Sequence, residues 1–202
     1  MDSTLEPEPK HVRIGVVSDI HCNIAALEHA IALMGPVDRL FALGDIIDEF
    51  RFSAPVVELL RAQDALTIRG NHEQVFFEGP GAGGRLGAVD KAASAEWLAN
   101  RPKQIELELL GRRMLMVHAT PWPSNYDYVP PSSSAFQRFA DVDADIVLYG
   151  HTHQPVVRQV GSTLVINPGS VGVGRPHDHG FVQSCAVLDL ATGSAEIIDF
   201  QI

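Results

Sequence analysis

The chain has 202 residues, 46% of them hydrophobic, and a formal net charge of -10. That length and apolar content fit one domain with a real core. With 25 acidic against 15 basic side chains and no Lys/Arg cluster, bulk binding to nucleic-acid backbones is not expected.

Residues 1–10 are polar, acidic and Pro-containing, and are expected to form a disordered lead-in to a single domain over 11–202. They lack the basic flank and apolar run of a signal peptide, and no apolar stretch approaches membrane-spanning length. A cytoplasmic location is the expectation. Cys22 and Cys185 lie far apart and outside any CxxC spacing, so free thiols are expected, with a disulfide left open.

Val12 to Ser18 is an apolar, β-branched run that predicts a buried strand. Asn23 to Met34 places Ile24, Leu27, Ile31 and Met34 at helical spacing, with Gly35-Pro36 as the stop. Val37 to Leu43 predicts the next strand. Such a β-α-β unit makes parallel strands whose carboxyl ends hold ligands, and Asp19, His21 and Asp45 fall at those ends. A helix is predicted over Ser53–Ala62 and a short strand over Ala65–Arg69. Gly79–Gly87, with five glycines and a proline, predicts a mobile loop. A helix over Lys91–Asn100 follows. Ile105–Leu110 and Arg113–His118 predict a hairpin turning at Gly111-Arg112. Pro121–Ser134 predicts a long functional loop. Strands are expected over Asp145–Tyr149, Val156–Val160, Thr163–Ile166, Ser184–Leu190 and Ala195–Phe200. The pattern predicts two packed sheets with helices outside.

Five short segments carry metal-binding side chains: Asp19-Ile20-His21, Gly44-Asp45, Gly70-Asn71-His72-Glu73, His118 and Gly150-His151-Thr152-His153. They contain five of the nine histidines. Residues two apart on an extended segment point the same way, so Asp19 and His21 can reach one ion. Gly44 lets the backbone pass close to the site, and the Asp45 carboxylate can bridge two ions through its two oxygens. Asp48 reads either as the carboxylate that orients a catalytic histidine or as a solvated surface acid. Asn71 is a weak, neutral donor, informative beside anionic bridges, and His72 can serve as general acid rather than ligand. Glu73 reads as a helix-start residue. Imidazole and carboxylate donors without thiolate suit Mn, Fe, Zn or Co better than Ca. The combination predicts a dinuclear metal hydrolase.

In this order, D-x-H, G-D-x-x-D, G-N-H-E, H and G-H-T-H resemble the calcineurin-like metallophosphoesterase superfamily over roughly residues 12–170. The length and Asn167-Pro168-Gly169-Ser170 resemble its small bacterial and archaeal phosphodiesterase branch. The resemblance implies a four-layer αββα sandwich, two mixed sheets flanked by helices. It implies one metal at Asp19, His21, Asp45 and His153, and a second at Asp45, Asn71, His118 and His151. Manganese comes first among the ions, with Fe, Zn, Ni or Co as alternatives. His72 would be the leaving-group acid, oriented by Asp48, with in-line attack by a metal-bridging hydroxide. The expected partners are a small phosphate ester and a second copy of the chain, with no membrane.

Two departures stand out. Cys22 replaces the glycine usual after D-x-H, read as a small buried residue or a site of oxidation. The run Asp48-Glu49-Phe50 lacks the Arg-Gly that would clamp a phosphomonoester; Arg51 or Arg69 are the candidates to compensate. Trp122, Tyr126 and Tyr128 either line the substrate pocket or pack over the core. Arg175, His177 and His179 reach the substrate or sit on a solvated loop. A phosphomonoesterase, a dinucleoside polyphosphate hydrolase and a non-catalytic scaffold of the same fold are the rival readings.

Overall fold

The computed structural model describes residues 12–122, 126–178 and 180–202. The expected lead-in over 1–10 and His179 lie outside the described residues. In chain order the elements are β1 (Arg13–Val17), α1 (Ile24–Met34), β2 (Arg39–Ala42), α2 (Ala54–Ala62), β3 (Leu66–Thr67), α3 (Asn71–Glu78), α4 (Ala82–Gly87) and α5 (Ala92–Ala99). Then come β4 (Gln104–Leu109), β5 (Arg112–Val117), a 3-10 helix over Ser134–Asp141, β6 (Ile146–Leu148), β7 (Val156–Val160), β8 (Thr163–Asn167), β9 (Arg175–His177), β10 (Gly180–Asp189) and β11 (Ser194–Phe200).

One sheet runs β11-β10-β1-β2-β3, with β9 paired to β10, and the other runs β4-β5-β6-β8-β7. Both are mixed: β1, β2 and β3 are mutually parallel, as are β5, β6 and β8, while the outer strands are antiparallel. The continuous apolar run of β1 arises because both its faces are covered. Ile14 and Val16 face the second sheet and meet Met114, Met116, Ile146 and Leu148, whereas Val17 faces the α1 side with Leu27 and Ala30. The edge strand β4 alternates instead, with Glu106 and Glu108 interleaved among Ile105, Leu107 and Leu109. That charge blunts a free edge.

Helices α1, α2, α3 and α5 cover the first sheet. The second is covered by the 3-10 helix, whose Phe136 and Phe139 pack on Tyr149 and Val147. Two mixed sheets flanked by helices are therefore the architecture, with a thin fourth layer. Truncating Phe139, which is fully buried, would cost about 3–5 kcal/mol.

Three local expectations need correction. The Gly79–Gly87 segment is helical from Ala82, because Arg85 turns back and donates to the carbonyls of Val75, Phe76, Gly79 and Pro80. The carbonyls left over at the end of α3 thus gain a partner. The hairpin turns at Leu110-Gly111, both at positive φ (50° and 70°), one residue earlier than expected. A two-residue loop of type I′ requires positive φ at both positions. Third, the 3-10 helix and β9 are additions to the expected elements: Phe136 and Phe139, three apart, mark one apolar face of the helix, whereas the exposed, three-residue β9 carries no such pattern. No helix among the described residues is long and apolar enough to cross a membrane. Cys22 and Cys185 are both free.

Candidate metal centre

The carboxyl ends of β1, β2, β3, β5 and β6 bring the five motifs to one rim. After β1 the chain makes a tight turn in which Asp19, His21 and Cys22 have φ of 53°, 48° and 62°. Asp45, His151 and His153 are also left-handed, at 49°, 63° and 56°. Such conformations are uncommon outside glycine and concentrate at functional sites, where surrounding structure over-determines them. Here the over-determination is visible. Asp19 N donates to Gly44 O (3.0 Å), Ile20 N and His21 N to Asp45 O (2.8 and 3.0 Å), and Cys22 N to Ile46 O (3.1 Å). The first two motifs are laced into one unit.

Two glycines are required by close approach. A Cβ on Gly70 would stand 2.2 Å from Asp45 Oδ1, and one on Gly150 would stand 1.9 Å from Ser18 Oγ and 2.7 Å from Asp19 Oδ2. No side chain fits at either place without moving a candidate ligand.

Among the described residues three groups of candidate donors result, one of them His21, Asp48 and His72, and the other two fall within the expected ligand sets. Asp19, His21 and His153 offer ligand atoms within 4.8 Å of one another, and so do Asp45, His118 and His151. In the first, His153 Nε2 is 3.2 Å from Asp19 Oδ1 and 3.3 Å from His21 Nε2. In the second, His118 Nε2 is 3.3 Å from Asp45 Oδ2 and 3.0 Å from Asn71 Oδ1. His118 Nδ1 lies 2.7 Å from Leu43 O, so that nitrogen donates and Nε2 is turned to the cluster. All seven expected ligands, Asp19, His21, Asp45, Asn71, His118, His151 and His153, are thus brought to the rim.

These residues fit divalent ions on structural grounds. Asp19 Oδ1 is buried and accepts no hydrogen bond. His21 Nε2 and His153 Nε2 face each other, an arrangement in which at most one proton can be shared. A cation among them would give every lone pair a partner, and an N/O donor set without sulfur suits first-row divalent ions. Electrostatics agree. Burial would raise the Asp45 carboxyl, but the adjacent His118 and His72 hold it well below the usual carboxylate range. Burial would lower His118, but Asp45 outweighs it and lifts the imidazole to about 10. A bound cation would take the place of that proton.

Glu73 does more than begin a helix. It is fully buried, and its carboxylate accepts from the backbone N–H groups of Asp45 (2.9 Å), Ile47 (3.0 Å) and Gly70 (2.7 Å). One side chain thereby ties the β2 and β3 loops together. Burial and the Asp45 charge push its carboxyl up to about 7, while Ile47 and Gly70 N–H pull the other way. Glu73→Ala would leave three buried donors unmet and should cost about 3–5 kcal/mol in denaturant unfolding. Glu73→Gln, which keeps an acceptor, should cost less; equal, small losses would contradict the tie.

Asn167 and Ser170 have a parallel function on the opposite side. Asn167 Nδ2 donates to Gly150 O (2.8 Å) and Thr152 Oγ1 (3.1 Å), and Ser170 Oγ to Asp19 O (2.8 Å). The Asn-Pro-Gly-Ser turn therefore holds the strained Asp19 and Gly150–His153 turns in place.

The remaining expected residues fall in different places. His72 sits in the first turn of α3, its backbone N donating to Asp45 Oδ1 (2.9 Å) and its Nε2 3.7 Å from Asp45 Oδ2. His72 Nδ1 is buried without a partner. Asp48 lies near both His21 and His72, but its close contact is His21 Nδ1 at 3.2 Å. Arg51 holds its other oxygen at 2.6 Å, which turns the carboxylate toward His21. Tyr126 and Tyr128 stand beside the cluster, 6.4 and 5.7 Å from the His151 ring, and Tyr128 Oη donates to Thr152 O. Trp122 does not join them: it packs on Phe139 at 5.0 Å with Arg138 over its face, on the outer side of the second sheet. Arg175 is likewise diverted, its guanidinium taken by Asp199 and Ser184. His177 is an exposed residue of β9. Arg69 pairs with Glu78 at 3.0 Å. Cys22 packs against the helix-side core, its thiol pushed up to about 11 by burial.

With fold and rim in hand, comparison with known proteins is decisive at the level of family. The calcineurin-like phosphoesterase superfamily domain matches residues 12–193, and the chain belongs to that superfamily. It is 29% identical to an uncharacterised protein of Methanocaldococcus jannaschii, over 92% of this chain and 86% of that one. It is 25% identical to phosphodiesterase YfcE of Escherichia coli K12, over 93% of this chain and 96% of the relative. A metallophosphoesterase from Sphaerobacter thermophilus shares the fold, with a TM-score of 0.73 and 23% identity over 95% of this chain and 88% of that one. The protein is a metal-dependent phosphoric ester hydrolase.

Proposed function

We propose that the protein is a phosphodiesterase working with two divalent metal ions. The observation that carries this reading is the pair of donor clusters meeting at one rim, Asp19/His21/His153 and Asp45/His118/His151, with Asn71 beside His118. A bridging role for Asp45 is supported by its charge, which acts on His21 and His153 as well as on His118. Bound divalent ions would supply Lewis acidity for the phosphoryl oxygens and for a water nucleophile, manganese being the first to test, then Fe, Zn, Ni and Co.

The chain's own residues supply orientation and the proton. As a water oxygen forms the new bond to phosphorus, the ester P–O bond opposite it breaks, and His72 gives its proton to the departing alkoxide. Asp48, held by Arg51, fixes the ring of His21. Tyr126 and Tyr128 wall the site next to His151. Preference for a diester follows from the arginines. Arg51 is committed to Asp48 and the His21 carbonyl, and Arg69 to Glu78, which leaves neither free to clamp a dianionic monoester. The similarity to a phosphodiesterase supports the same choice.

With manganese added to stripped protein, bis-p-nitrophenyl phosphate should be cleaved with kcat/KM at least about tenfold above p-nitrophenyl phosphate, ~1.4 kcal/mol in transition-state free energy. The reverse order would assign a phosphomonoesterase. Ion binding without turnover of either, or of a dinucleoside polyphosphate, would assign a scaffold.

A further inference from the structure

A groove of about 650 Å³ opens between residues 50–55 and α4, lined among others by Phe50, Arg51, Phe52, Phe76, Arg85 and Asp90. Sites for small organic ligands occupy about 300–1,000 Å³. Two connections join it to the metal rim. Arg51, which lines the groove, binds Asp48 at 2.6 Å and the His21 carbonyl at 3.1 Å, and Asp48 in turn touches the His21 ring. Helix α3 carries His72 in its first turn and Phe76 four residues later, on the same face. The face that presents the acid thus continues as a wall of the groove.

The lining has a definite chemistry. Phe50 is 72% exposed, the highest value among the large apolar side chains described. The Arg85 guanidinium lies 5.6 Å from the centres of both the Phe50 and Phe76 rings. Its Nε, Nη1 and Nη2 all donate to carbonyls of residues 75–80, so it is held as a fixed plate rather than a mobile charge. Ser53, at the N-cap of α2, makes no side-chain cap hydrogen bond and is among the lining residues. Asp90 closes the lining with a carboxylate. Flat apolar surface with a hydroxyl and a carboxylate at its margins matches a ring with polar edges.

We propose that this groove receives the leaving group of the phosphate diester, an alcohol bearing a flat aromatic ring such as an aryl or nucleoside alcohol, and that Phe50 sets this specificity by stacking on it. The inference rests on the phosphodiesterase reading. The leaving oxygen must be near His72 to take its proton, and Arg51, which lines the groove, is bonded to Asp48, whose carboxylate lies close to both His21 and His72. Phe50 is neither a proposed metal ligand nor the acid, and its exposure lets it be replaced without opening the core.

The test compares bis-p-nitrophenyl phosphate with bis(2,2,2-trifluoroethyl) phosphate, an activated diester without a ring, its released alcohol followed by fluorine NMR. For Phe50→Ala, KM for the aryl diester should rise on the order of tenfold, as for loss of one aromatic stacking partner. Its kcat should stay within about twofold, and the trifluoroethyl kinetics should not change. Phe50→Tyr should restore the aryl KM. An unchanged KM, or an equal rise on both diesters, would overturn the groove assignment while leaving the phosphodiesterase intact. No turnover of either diester by the unmodified, metal-loaded protein would overturn both.

Discussion

Asp45→Asn is expected to lose or disorder ions at both positions and to lower diester hydrolysis by roughly 10³-fold, the loss of several kcal/mol of charge stabilisation. The substitution is nearly isosteric, and Oδ1 can still accept the His72 N–H. What it removes is a buried charge that interacts with His21, His118, His151 and His153 together. Without it, Asp19 would be the one carboxylate left among the proposed ligands. Metal analysis of the purified variant checks this directly. Two ions per chain at full occupancy would contradict the shared role of Asp45.

His72→Ala should separate binding from chemistry. The variant is expected to hold its ions, because His72 belongs to neither of the two proposed ligand sets and the backbone N–H that bonds Asp45 survives. Hydrolysis of a diester with a poor leaving group should fall by about 10²–10⁴-fold, the worth of a positioned general acid. The p-nitrophenyl diester, whose leaving group departs without a proton, should suffer least. Equal losses on both substrates would remove His72 from the acid role and leave it a positioning residue.

The site was legible in the sequence to the extent that its parts are local. Strand β1 ending in Asp19-x-His21, β2 ending in Gly44-Asp45, and β6 leading to Gly150-His151-Thr152-His153 each combine an apolar run, a turn and donors within a few residues. Parallel pairing of β1 with β2 and of β5 with β6 then carries those ends to one rim. What could not be read is what depends on partners distant in sequence. Glu73 looks like an ordinary first-turn acid, yet two of its three donors lie 26 and 28 residues away. Asp48 has two histidines within reach, and it is Arg51 that selects His21. Trp122 is an aromatic in a substrate-side loop until Phe139, on a 3-10 helix seventeen residues further along the chain, takes its ring. Five glycines in Gly79–Gly87 argue for a loop, but Arg85 satisfies the carbonyls that make the turn helical. In each case a single tertiary contact outweighs local propensity, which is worth only about 1 kcal/mol per glycine.

Titrating metal-stripped protein with Mn²⁺ tests the central claim most directly, bound ions being counted by native mass spectrometry while bis-p-nitrophenyl phosphate turnover is followed in parallel. Two ions per chain are predicted, with turnover appearing as the second site fills. Full activity at one ion per chain, or a chain that never binds a second, would contradict a dinuclear centre built from these residues.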